Sequence, residues 1–166
     1  MIKFSEKIKN SEIYITALEV IKTLSDAGFE SYIVGGAVRD LLIKKNPKEY
    51  DICTSATPNE INKIFKKSKL VGQSFGVSIV LQNQYAFEIA TFREDFDYLD
   101  GRHPDKVKYT KNVKNDIQRR DFTVNGLLFD PISNKVIDHC DGVSDLKNKI
   151  IRTIGDPSER FSEDYL

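Results

Sequence analysis

The 166-residue chain is long enough for one domain with a real core and too short for two large ones. Apolar residues make up 40% and charged residues 30%, and 25 Lys and Arg stand against 25 Asp and Glu, so the composition is that of a soluble globular protein and excludes one that binds nucleic acid by net charge alone. No apolar run approaches a membrane span, the opening MIKFSEKIKN lacks a signal-peptide core, and Cys53 and Cys140 form no CxxC pair; together these fit a reducing, cytoplasmic setting.

In chain order, Tyr14, Ala17, Leu18, Ile21 and Leu24 recur at helical spacing, with Gly28 as the stop. SYIVG reads as a short strand ending in Gly35 and Gly36, AVRDLLI as a helix starting at that turn, and EYDIC as the next strand. Thr57, Pro58 and Glu60 form a capping-box signature for a helix to about Lys66. GVSIVLQNQYAFEIATFR predicts an antiparallel hairpin turning at Asn83 and Gln84. Residues 94–112 are polar and hold Gly101 and Pro104, which predicts a long loop. NDIQRRDFTVNGLLFD predicts a helix, a turn and a strand; KVIDHCDG a short strand, SDLKNKI a helical turn and IIRTIG a third short strand. Asp156, Pro157 and Glu159 open a last helix whose apolar stripe, Phe161, Tyr165 and Leu166, lacks a closing signal, so the chain is expected to continue in a longer protein.

The chemistry concentrates between Tyr32 and Pro58. A strand that ends in Gly-Gly and runs into a helix aims backbone N–H groups at one point, where a phosphate can sit. Arg39, one turn on, adds a charged fork. Glu49 and Asp51 are two apart on an extended segment, so both carboxylates leave the same face and repel unless a cation joins them. Mg²⁺ is the usual partner when substrate phosphates complete its shell. Glu88, in FEIATF, is the candidate third acid on a neighbouring strand. A Gly-Gly turn or a pair of strand acids is individually weak; their order within one supersecondary unit is the more specific signal.

These residues resemble a known family. GGAVRD with a spaced acidic pair, FEIATFR, DGRHPDKV, RRDFTVNGLLFD, DGVSDLKNKIIRTIGDP and RFSEDYL are similar, in order from about residue 30 to the end, to the head domain of class II tRNA nucleotidyltransferases and bacterial poly(A) polymerases. The resemblance implies an α+β, polymerase-beta-like nucleotidyltransferase fold, with a mixed or antiparallel sheet of about five strands flanked by helices. It implies a head domain over 1–150 and the start of a nucleotide-recognition neck segment over 151–166.

By similarity, Gly35, Gly36 and Arg39 hold the triphosphate, Glu49 and Asp51 carry two Mg²⁺ ions, and Glu88 assists them. Arg120 and Asp121 lie near triphosphate and ribose, Asn125 discriminates the 2′-hydroxyl, and Asp164 belongs to the base-reading segment. The implied reaction is template-independent transfer of a nucleotide from CTP or ATP to the 3′-hydroxyl of RNA, as CCA, CC or A addition to the tRNA 3′ end. Poly(A) synthesis, or a nucleotide- or RNA-binding module of this fold without catalysis, are the alternatives. The sequence departs from the family pattern at Glu49, where Asp is common, at Gly126 for the more usual Ala, at His103 for a frequent Arg, and at Cys53 for a frequent Ala. Cys53 is expected in the core, and His103 and His139 are expected to have no catalytic role.

Overall fold

The computed structural model describes residues 6–71, 76–96 and 106–163. A short helix, α1 (Glu6–Lys9), precedes α2 (Glu12–Asp26), β1 (Ser31–Val34) and α3 (Gly36–Leu42). Next come β2 (Asp51–Thr54), α4 (Pro58–Ile64), β3 (Ser68–Leu70), β4 (Val77–Gln82) and β5 (Tyr85–Thr91). Then follow β6 (Arg93–Phe96), β7 (Lys106–Tyr109), α5 (Val113–Gln118), β8 (Leu128–Asp130), β9 (Lys135–Ile137), α6 (Gly142–Asn148) and α7 (Pro157–Glu163).

The main sheet has seven strands in the order β3-β4-β5-β2-β1-β8-β9, against the five or so expected. Only β2 and β5 run parallel; the other neighbours are antiparallel, which makes the sheet mixed as predicted. Among the described residues no helix is long and apolar enough to cross a membrane.

Strand alternation divides the core between the two faces of the sheet. Ile33, Ile52, Phe87 and Ile89 join Ala17, Ile21 and Leu24 of α2 and Ile61 of α4 on one face. Val34, Cys53 and Leu128 join Phe92, Ile117 and Ile154 on the other. Cys53 is therefore a core residue, and burial pushes its thiol up to about 12, which leaves it inert near neutral pH.

Local signals account for most boundaries. α2 ends as its glycine predicts: Gly28 has φ +88° and the Phe29 N–H reaches Leu24 O at 3.0 Å. The Thr57–Glu60 capping box is formed, with Thr57 N–H donating to Glu60 Oε2 at 2.7 Å. Asn83 and Gln84 both take positive φ, the mirror-image turn that suits strand twist, and pair Gln82 with Tyr85.

Three expectations are corrected. α4 stops at Ile64, short of Lys66, because Phe65 is extended and the chain enters β3. The segment 94–112 is not one loop: β6 and β7 pair as a ribbon and α5 opens at Val113, capped by Asn112 Oδ1 on the Lys114 N–H. Residues 97–105, with His103, lie outside the described residues. IIRTIG contributes only an isolated bridge between Thr153 and Phe122, since Ile150 and Ile151 are exposed.

Gly126, the departure from Ala, has a packing cause. A Cβ there would lie 2.8 Å from both Cys140 Sγ and Ile154 Cδ1, so these two side chains fill the methyl's place. Gly126→Ala is expected to lower stability by about 1–3 kcal/mol through overpacking. In urea denaturation, Cys140→Ala in the same chain should recover part of that loss; additive losses would contradict the packing account.

Candidate active site

The register of β1 assembles the site. Val34 pairs with Asp51 of β2 on one side and with Leu128 of β8 on the other, so the residue before the glycine turn lies between both predicted motifs. Gly35 has φ +72° and ψ −135°, which glycine adopts without strain, and it turns the chain into α3. Its N–H donates to Leu127 O at 3.2 Å, and the Val38 and Arg39 N–H groups fold back to Gly35 O. The phosphate cradle read from the sequence therefore narrows: Gly35 shapes the turn, and its own N–H belongs to the contact with the β8 side.

Arg39 joins that turn to the RRDFTVN segment. Its Nη1 donates to Asn125 Oδ1 at 3.0 Å, and Asn125 Nδ2 donates to both carboxylate oxygens of Asp121 at 3.3 Å. Asp40 Oδ1 accepts from Arg39 Nε and Nη2, both at 3.2 Å. Arg39, Asn125 and Asp121 thus form one polar chain, although 86 positions separate the first two. A Cβ at Gly36 would come within 3.4 Å of Arg39 Nη2, so the glycine leaves room for the guanidinium.

The acids stand beside this chain. Tyr50 is buried against Tyr14, with ring centroids 5.7 Å apart, and Ile52 is buried on the same side. The alternation sends Glu49 and Asp51 to the opposite side. Glu49 is exposed and precedes β2 rather than starting it, so its extra methylene extends from a loop end with room to adjust. Glu88, exposed on β5, stands one step before Ile89 as Asp51 stands one step before Ile52. Because Ile52 pairs with Ile89, the two acids are neighbours across parallel strands. Burial raises the Asp51 carboxyl above its ordinary range, the charges on Glu49 and Glu88 raise it further, and Arg120 opposes them.

Among the described residues, no group of three or more His, Cys, Asp or Glu side chains converges closely enough to hold a metal ion unaided. Asp51 nonetheless sits in the field of two other acids, and a hard divalent cation that takes further oxygens from a triphosphate fits that donor set.

Arg120 Nη2 is held by Asp116 Oδ2 at 3.1 Å, and its charge reaches Asp51, Cys53 and Asp121. Asp164 lies outside the described residues. Sequence reasoning missed four acids. Asp40 stood in plain view beside Arg39. Asp138 accepts from the N–H groups of Cys140, Gly142 and Val143, and so opens α6. Asp145 accepts from Thr123 Oγ1 at 2.8 Å and from Arg152 Nε at 3.1 Å, which clamps the RRDFTVN turn against α6. Asp116 is buried and looks in sequence like any polar helix residue.

The family model for the poly A polymerase head domain matches residues 31–152. The chain belongs to that family. Its relatives include a CCA-adding enzyme of Lactobacillus helveticus (strain DPC 4571), 46% identical over 158 residues, which are 95% of this chain and 39% of that protein. Among solved structures, the Bacillus stearothermophilus CCA-adding enzyme in complex with CTP superposes with a TM-score of 0.83 at 35% identity, over 93% of this chain and 37% of that one. The Thermotoga maritima CCA-adding enzyme complexed with tRNA gives 0.71 at 25% identity, over 94% and 35%. The head-domain chain thus spans about two fifths of the length of the relatives it matches.

The raised Asp51 carboxyl has a sign that thermal melting can read. Its ionised form is disfavoured in the fold, so Asp51 lowers stability at neutral pH, and that cost disappears as pH falls through its raised folded value. Asp51→Asn should melt higher than the wild type at pH 7, with the gap closing near pH 4. A lower melting temperature for Asp51→Asn at pH 7 would contradict the assignment.

Proposed function

We propose that this chain is the catalytic head of an RNA nucleotidyltransferase that adds CTP- and ATP-derived nucleotides to the tRNA 3′ end, building all or part of CCA. The observation that supports the reading is the register that sets Asp51 beside Glu88 and next to the Gly35–Arg39 turn, with the charge of Glu49 also acting on Asp51. One end of the site is built for a triphosphate and the other for the cations that accompany it. The family membership and the CCA-adding relatives support the same reading.

In this mechanism the RNA 3′-hydroxyl attacks the α-phosphorus, the bond to the pyrophosphate breaks in line, and pyrophosphate leaves. The Arg39 side chain and the Gly36 and Ala37 N–H groups orient the β- and γ-phosphates, with Asp40 and Asn125 holding the guanidinium in place. Asn125, which donates to Asp121, would test the ribose 2′-hydroxyl. Glu49 and Asp51, with Glu88 nearby, would hold two Mg²⁺ ions, which when bound lower the pKa of the attacking hydroxyl and neutralise the leaving group. No side-chain nucleophile is required, so Cys53, Ser78 and His139 have no chemical part. Asp164 would begin the base-reading segment, with residues 1–150 as the head and 151–166 as the start of the neck. The reaction belongs in the cytoplasm, where tRNA and nucleotides meet.

Incubating the full-length protein with tRNA lacking CCA, tRNA lacking only the terminal A, and an unrelated RNA separates the possibilities. With CTP and ATP together, three-nucleotide extension confined to tRNA is expected. Long A tracts on any RNA would indicate a poly(A) polymerase, and no incorporation despite nucleotide binding would indicate a binding module. Asp51→Ala should reduce incorporation about 100-fold or more. Full activity in that variant would remove Asp51 from the metal site.

A further inference from the structure

Arg120 belongs to a buried ionic cluster that the reaction does not itself require. The Asp116 side chain is 0% exposed. One oxygen accepts from Arg119 Nε at 2.9 Å and from the Arg93 N–H at 3.2 Å, while the other takes Arg120 Nη2 at 3.1 Å. Arg119 Nη1 also reaches Asp95 Oδ2 on β6 at 3.4 Å, and Arg93 Nε meets Asp95 Oδ1 at 2.7 Å. Asn115, beside Asp116 on α5, donates to Glu94 Oε1 on β6 at 2.7 Å. α5 is thereby fastened to β6 through largely buried polar contacts.

Arg120 is the member of this cluster that looks toward the site. Its Nε is buried and has no hydrogen-bond partner among the described residues, while its charge acts on Asp51 and Asp121. A guanidinium held only by strand acids would be free to collapse onto Asp51 and block a cation there. Held by the Asp116 carboxylate, it stays near enough to temper the repulsion among the acids. A buried carboxylate bonded to two consecutive guanidiniums is costly to desolvate and needs each of its partners.

We infer that Asp116 is a positioning residue for nucleotidyl transfer: its buried carboxylate sets the Arg120 guanidinium beside the Asp51 acids and ties it, through Arg119 and Arg93, to strand β6. This rests on the reading of Asp51 as part of the catalytic centre. A purely structural Asp116 would cost stability and leave the chemistry of folded molecules untouched. A positioning Asp116 acts on the chemical step and does so through Arg120.

The test uses the full-length protein and single CTP addition to tRNA lacking CCA, with activity normalised to folded protein. Asp116→Asn should lower kcat about tenfold or more while leaving KM for CTP within about twofold. In the double variant with Arg120→Gln, the two losses should not multiply, because both remove the same placed charge. If Asp116→Asn does not fold, Asp116→Glu keeps the charge and displaces it by one methylene, and the same kcat-selective loss is expected. A folded Asp116 variant with wild-type kcat, losses that multiply with Arg120→Gln, or failure of both Asp116 variants to fold would each overturn the inference. A wild type that extends no RNA would instead overturn the proposed function.

Discussion

The site depends on the register of β1. With Val34 opposite Asp51 on one edge and Leu128 on the other, the turn at Gly35 emerges between the acidic strand and the RRDFTVN segment. A slip of one residue would exchange the faces, sending Ile33 and Ile52 away from α2 and α4 and turning the acids toward those helices. The core therefore protects the chemistry: Tyr50 and Ile52 bury one face of β2, and the acids are left on the other. The parallel pairing of β2 with β5 then sets Glu88 beside Asp51, and the hydrogen bond from Arg39 to Asn125 closes the turn onto the chain's later half.

Around that frame the electrostatics are deliberately unbalanced. Asp51 is partly buried among like charges, which costs stability in the free protein, and Arg120 relieves the repulsion without cancelling it. Such strain is the expected signature of a site organised for a bound cation and phosphate rather than for the empty state. The buried arginine–aspartate cluster behind it is the opposite case. There burial works to raise the Asp116 carboxyl, yet Arg119 and Arg120 hold it below its ordinary range. One group is poised and the other is locked, and Arg120 belongs to both environments.

Features governed by a few adjacent residues were legible in the sequence: the glycine turn, the Thr57–Glu60 capping box, the Asn83–Gln84 hairpin, the Gly28 stop and the burial of Cys53. Each depends on backbone conformation or apolar period alone. β3, β6 and β7 were not legible, because SKL, REDF and KVKY are short and polar and become strands only by pairing. IIRTIG failed for the converse reason, having an apolar run but little to pair with. The roles of Asp116, Asp138 and Asp145 were hidden because an acidic residue on a short helix or turn looks the same whether it faces water or a buried partner. The family resemblance supplied candidate residues that spacing could not, and the geometry added their partners: Asp40 on Arg39, Asp121 on Asn125 and Asp116 on Arg120.

The central claim is that the acids at the head of β2 and the turn after β1 form one cation–triphosphate site. Titration of Mn²⁺ by electron paramagnetic resonance, in the presence and absence of CTP, tests it directly. The account predicts that Mn²⁺ binds the wild type tightly only when CTP is present, and that Asp51→Asn and Arg39→Gln each lose this CTP-dependent binding. Mn²⁺ and CTP binding that survive Asp51→Asn unchanged would contradict it.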